Sequence, residues 1–134
     1  MEKASSSCVD SDVSDAMIPP NAAPPKTIII AYPGAEEKIR KQYVYQTYLT
    51  SEEHDRIGLV PGNRLVVKFK DEVVGEGQAI LVERTILERL SPYDAMSAGY
   101  ETVEAQRKHV LATVLASVKK PEKAEFWKVL FRWL

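Results

Sequence analysis

Between Leu90 and Lys120 the chain starts two helices in close succession, and this stretch constrains the fold more than any other. Ser91 followed by Pro92 is the cap-then-proline order that opens a helix. That helix stops at Gly99, and Thr102 begins another, with Glu101 and Glu104 near its positive end. A glycine between two helices is a corner, because it takes backbone angles that other residues avoid. Tyr100 is placed to plug the gap. In the second helix Val103, Val110, Leu111, Val114, Leu115 and Val118 recur at helical spacing. Such a stripe needs a sheet to bury it, and Pro121 ends the helix.

Strand-forming segments flank this pair. "KTIIIAY" carries Ile28, Ile29 and Ile30, a β-branched run that reads as a strand buried on both faces. Pro33–Gly34 is a turn into a short helix, and "YVYQTY", Tyr43 to Tyr48, is a strand. "SEEHDRIG" is a second short helix, capped by Ser51 and stopped by Gly58. After the "VPGNR" turn, "RLVVKFK" alternates, with Leu65, Val67 and Phe69 on one face. "VVGEGQAILVE" is its hairpin partner across Asp71–Glu72, and Gly75, Gly77 and Ala79 leave room on one face for a close neighbour. "EFWKVLFRWL" closes the chain as a strand, with Trp127, Val129, Phe131 and Trp133 inward and Lys128 and Arg132 outward. The two tryptophans read as core. About five strands with helices inserted before the last one is the order of an α+β chain, a small, partly open β-barrel covered on one side.

Composition sets the limits. The 134 residues, 45% of them hydrophobic, suffice for one domain with its own core. Residues 1–26 are rich in Ser, Asp, Ala and Pro and read as a disordered leader, leaving 27–134 as the folded domain. The leader carries −2 and the remainder +1 of a net −1, so no global basic field announces nucleic acid, though a local patch can still hold a phosphate. The single cysteine, Cys8, permits no internal disulfide and reads as a free thiol. His54 and His109 lack ligand spacing, and neither a metal nor a cofactor is expected. No signal peptide or membrane span is written in the chain, which implies a cytoplasmic protein.

Several short motifs occur together: the Pro61–Gly62 turn into a strand, Gly75 in the next, then "VERTILERL", "LSPYDA", "GYETVE" and a Trp- and Val-rich closing strand. In this combination residues 27–134 resemble the ASCH domain, the activating-signal-cointegrator homology family of the PUA-like superfamily. The resemblance implies a PUA-like barrel with a functional cleft between barrel and helices. It implies RNA binding, or, in some small bacterial members, hydrolysis of N4-acetylcytidine; other members are similar to ribonucleases. The family's Gly-x-Lys-x-x-Glu/Thr-x-Arg motif matches at Lys41 alone. Its other positions hold Ile39, Val44 and Gln46, and the insertion glutamate falls at Ala98. Lys41 is therefore the one catalytic candidate, with Thr47 and Glu101 as partners if the alignment slips.

The residues themselves leave three readings open. A catalytic lysine must be desolvated or crowded by a cation, here Arg40, and needs a carboxylate in reach. Without one, "KIRK" is a phosphate-binding cluster or a solvated helix end. Tyr43 and Tyr45 share a face beyond it, suited to base stacking or simply to a half-buried strand. Arg84 stands at the mouth of the family's cleft. The leading expectation is a module that binds RNA or a nucleotide in a basic, aromatic cleft through Arg40, Lys41, Tyr43, Tyr45 and Arg84. A hydrolase of a modified pyrimidine nucleoside or a ribonuclease is the second. A domain that recruits a protein partner through its leader is the third.

Overall fold

The computed structural model describes residues 23–134; most of the proposed leader, with Cys8, lies outside the described residues. Five strands form one sheet in the order β1-β3-β4-β5-β2. They are β1 (Lys26–Ile30), β2 (Gln46–Leu49), β3 (Arg64–Phe69), β4 (Glu72–Thr85) and β5 (Phe126–Trp133). Helices α1 (Glu36–Arg40) and α2 (Ser51–Ile57) flank β2, and α3 (Pro92–Ser97) and α4 (Val103–Ala112) lie between β4 and β5. β1 runs parallel to β3, and every other pairing is antiparallel. The sheet curls into a partly open barrel, the expected α+β architecture, and β1 and β2 are its two edges.

The curl has identifiable causes. Beside Gly77 a Cβ would sit 2.7 Å from the Arg132 carbonyl oxygen, and beside Gly75 it would meet the Trp133 ring at 2.9 Å. Small residues here let β5 close on β4, as their shared face implied. Register shifts at Val67/Lys68 and Ala79/Leu81 bend the sheet further; the second leaves Ile80 without a partner on β5. Leu65, Val67 and Phe69 fill the interior with Ile28, Ile30, Val129 and Phe131. A second apolar cluster joins Tyr48 and Phe126 to Leu90, Ala95, Ala98, Tyr100, Val110 and Leu115, so α3 and α4 cover the opposite face of the β5–β2 half.

Several expectations need correction. β1 is not buried on both faces: Ile28 and Ile30 point inward while Ile29 is exposed, since an edge strand is covered on one side. β2 begins at Gln46 rather than Tyr43, because Tyr43 N–H bonds to Lys38 at the end of α1 and Tyr45 N–H bonds to Ser97. Thr50, not Ser51, caps α2, in a reciprocal box with Glu53. α4 stops at Ala112, not at Pro121. The β-branched pair Thr113–Val114 follows it, and the Thr113 hydroxyl bonds back to the His109 carbonyl at 2.7 Å. Leu115 is buried, but Leu111 and Val118 are exposed. Lys128 is not outward: it lies under α3, its side chain 20% exposed. Arg84 pairs with Glu125 and Glu83 with Lys128, because neighbours on a strand face opposite ways.

The helix corner matches its reading. Ser91 caps α3 in a box with Asp94, Thr102 caps α4, and Gly99 sits at φ +90°. A Cβ there would lie 2.8 Å from the Ala35 Cβ and 3.0 Å from Val44. Gly58, at φ +67°, has nothing within 4 Å. Gly58→Ala is therefore expected to cost about 1–2 kcal/mol of backbone strain. Gly99→Ala should cost about 1–3 kcal/mol more through overpacking. Urea unfolding of the two variants measures the difference, and equal losses would mean that the corner is not tightly packed.

Candidate functional site

Where the barrel stays open, between the free edges of β1 and β2, there is a cleft of about 540 Å³. Ile29 to Tyr32 form one side, and Gln46, Thr47 and Tyr48 form the other. α2 contributes Glu52, Glu53 and Arg56 at the rim, and the helix corner and α4 contribute Ala98, Tyr100 and His109.

One wall is aromatic. The Tyr32 ring lies 4.4 Å from that of Tyr100 and 4.9 Å from that of His109. The Tyr32 ring is folded over Gly34, where any Cβ would strike it at 2.7 Å. The Tyr100 hydroxyl and His109 Nδ1 share a 2.8 Å hydrogen bond. Burial, then the nearby Tyr32, raises the Tyr100 phenol, so it keeps its proton.

Gln46 and Tyr48 on the floor are held from behind by a buried polar network. Gln46 Nε2 donates to Asp94 Oδ1 at 2.9 Å and to the Tyr48 hydroxyl at 3.0 Å. Gln106 Nε2 also donates to the Tyr48 hydroxyl. The Ser91 N–H and hydroxyl donate to Asp94 Oδ2, and Lys128 Nζ stands 3.5 Å from Asp94 Oδ1 and 3.2 Å from Glu83. Burial pushes the Asp94 carboxyl up, but the Gln46 amide, the Ser91 N–H, Lys128 and the Ser91 hydroxyl together hold it below its ordinary value. Burial, with Asp94 nearby, raises the Tyr48 phenol.

The cleft is aromatic but not basic. Its charged lining residues are Glu52, Glu53 and Arg56. Glu53 is engaged in the α2 cap, whereas Arg56 has no ion-pair or hydrogen-bond partner among the described residues.

Of the candidate site residues, only Thr47 lines this cleft, together with two positions of the family motif, Gln46 at the arginine position and Ala98. Arg40 is held by Glu36 and Glu72 at the start of β4, and Arg84 lies near the end of the same strand, over the Trp127 ring. They stand toward opposite ends of β4, about 40 Å apart along the strand, and neither lines the cleft. Lys41 is 58% exposed and pairs with Glu37 on α1. Tyr43 and Tyr45 are exposed, as is Glu101. Val44, the motif's Glu/Thr position, is in the core, and Ala98, the insertion glutamate's position, lines the cleft without a carboxylate. Asp94, Lys128 and Gln106, which hold the floor residues Gln46 and Tyr48 from behind, carried no site signal in the sequence. Asp94 was visible in "LSPYDA", but only as part of a helix start.

The fold is similar to that of solved structures. One is a protein of Enterococcus faecalis V583 described under the family model DUF984. It has a TM-score of 0.62 at 11% identity, with 82% of this chain and 76% of that one covered. Another is an ASCH domain from Lactobacillus crispatus JV V101, with a TM-score of 0.56 at 12% identity, covering 81% and 79%. No family model matches the sequence, and no curated protein matches it. The chain has the fold of an ASCH domain. No helix among the described residues is long and apolar enough to cross a membrane.

His109 supplies a test of the wall. Burial holds its imidazole below the ordinary 6.5, so it stays neutral in the folded protein at pH 7. The unfolded chain takes up this proton at higher pH than the folded one. Stability from this group is complete above about pH 6.5 and is lost as pH falls from there toward the depressed folded value. Urea unfolding between about pH 7 and 5 should show a steeper loss for the wild type than for His109→Asn. Identical pH profiles would mean that His109 is not desolvated.

Proposed function

We propose that this chain is a binding module that takes one nucleobase, from a single-stranded RNA or a free nucleotide, into the cleft between β1 and β2. The observation that carries the reading is the pairing of an aromatic wall, Tyr32 with His109 and Tyr100, and an amide floor at Gln46 in one recess. A recess of about 540 Å³ is within the usual size of small-molecule sites. Flat heterocycles bind between an apolar face and a few fixed polar groups, and single-stranded RNA is read in this way, base by base.

The charge at the rim shapes the expectation. With Arg56 the one cation in the lining, the site offers a phosphate one contact, so the base and not the backbone supplies most of the affinity. The hydrolase reading has less support. The matched lysine is in an exposed ion pair with Glu37, and the positions of its expected partners hold Val44 and Ala98.

Titration of the full chain with short single-stranded RNAs at several salt concentrations tests the reading. Binding should fall with salt at a log–log slope of about −0.7, the value for one phosphate contact. Tyr32→Leu should cost about 1–3 kcal/mol through lost stacking. Lys41→Ala and Arg84→Ala should each leave affinity within about twofold, since neither lines the cleft. A slope near −2, together with loss on Lys41→Ala, would return the site to the basic cluster. Turnover of N4-acetylcytidine by the wild type would make the chain an enzyme.

A further inference from the structure

We infer that Gln46 is the specificity-determining residue of this cleft: its side-chain carbonyl, held in one orientation by Asp94, selects a heterocycle that presents an exocyclic amine, as adenine and cytosine do. The inference rests on the base-binding reading and adds to it the chemistry of the base.

Gln46 is 2% exposed and lines the cleft. Both hydrogens of its amide nitrogen are spent, one on Asp94 and one on the Tyr48 hydroxyl. The orientation is imposed by charge. Turning the amide over would set its oxygen against an ionised carboxylate, acceptor against acceptor, while two N–H donors lost their partners. The carboxylate is itself fixed. Oδ1 faces Gln46 and Lys128, and Oδ2 receives both Ser91 donors. Glu83 holds Lys128 from its other side.

The consequence is at the other end of the amide. Gln46 Oε1 has no hydrogen-bond partner among the described residues, yet it is not sealed from solvent. Gln106 Oε1 is unpartnered too, but it is fully enclosed and does not line the cleft. The Tyr48 hydroxyl accepts from both glutamine amides and keeps its own O–H to donate. Gln46 itself offers the recess a bare acceptor and no donor. An exocyclic amine projects beyond its ring and reaches such an acceptor directly. The ring N–H of uracil is recessed between two carbonyl oxygens, which would crowd Oε1 with no amide donor to receive them. A site built to accept from an N–H rejects a ligand that lacks it, because a nearly buried acceptor is then left unpaired.

Asp94 acts here as a positioning residue, and its test is selectivity rather than affinity. The probes are cytidine, N4,N4-dimethylcytidine, adenosine, N6,N6-dimethyladenosine and uridine, titrated by calorimetry into the full chain. The wild type should bind cytidine or adenosine at least about tenfold more tightly than the matching dimethyl compound, and cytidine at least about tenfold more tightly than uridine. In Asp94→Asn the neutral partner lets the Gln46 amide present either end, so the preference for cytidine over uridine should fall to within about twofold while one of the two still binds. Gln46→Met, which leaves the α3 capping box intact, should lose the same preference and serves if Asp94→Asn does not fold. Binding by the wild type without discrimination against the dimethyl compounds would overturn the inference and leave the base-binding reading standing. Full selectivity in Asp94→Asn would also overturn it. No binding of any probe by the wild type would end both.

Discussion

The Asp94 carboxylate joins the two halves of the molecule. It closes the capping box that starts α3, and it reaches across to Gln46 on β2 and toward Lys128 on β5. Without it the polar ties between the helical layer and the sheet would reduce to Gln106 with Tyr48 and the Tyr45 N–H with Ser97, and no charge would orient the Gln46 amide at the floor of the cleft. A buried carboxylate is costly unless its lone pairs are filled. Here four donor groups surround it, and the carboxyl remains ionised as a result. The same arrangement explains why a lysine lies under α3, in the middle of a strand covered on both faces.

The cleft follows from how the barrel is left open. β1 pairs only with β3 and β2 only with β5, so two strand edges face each other with a gap between them. α2, the Gly99 corner and α4 border that gap without filling it. Tyr32 touches both apolar clusters, the barrel interior and the helical layer, which sets its ring at the seam. Under the proposed base-binding reading, recognition at such a place would depend on shape, stacking and a single acceptor rather than on a field of positive charge.

The sequence made the scaffold legible where the chemistry is local. Ser91 with Pro92, Thr102, Gly58 and Gly99 each announce a helix end through their own conformational demands. The alternation of Leu65, Val67 and Phe69 shows the inward face of β3 directly. Edges were not legible, because three isoleucines read alike whether a strand has one neighbour or two. The length of α4 was overread for a similar reason: the stripe continues through Val114 and Val118, but β-branching and the Thr113 hydroxyl favour a turn. The site was largely hidden. Its residues come from the end of β1, β2, α3, α4 and β5, and short motifs contain two of the interacting side chains only at Gln46 with Tyr48 and at Ser91 with Asp94, the latter legible as a helix cap alone. Lysine on a strand ordinarily signals solvent, and glutamine carries no signature of its own. The exposed cluster at Arg40 and Lys41 attracted notice because charge next to tyrosine is conspicuous in one dimension, although Glu36, Glu37 and Glu72 neutralise it in three.

Nitrogen–proton chemical-shift mapping with adenosine monophosphate and with a short single-stranded RNA tests the central claim most directly. If the seam between β1 and β2 is the binding site, perturbations will gather on Ile29 to Tyr32, Gln46 to Tyr48, Arg56 and His109, with the Gln46 side-chain amide among them. Perturbations centred instead on Arg40 to Tyr45, or around Arg84, with the Gln46 amide unmoved, would contradict it.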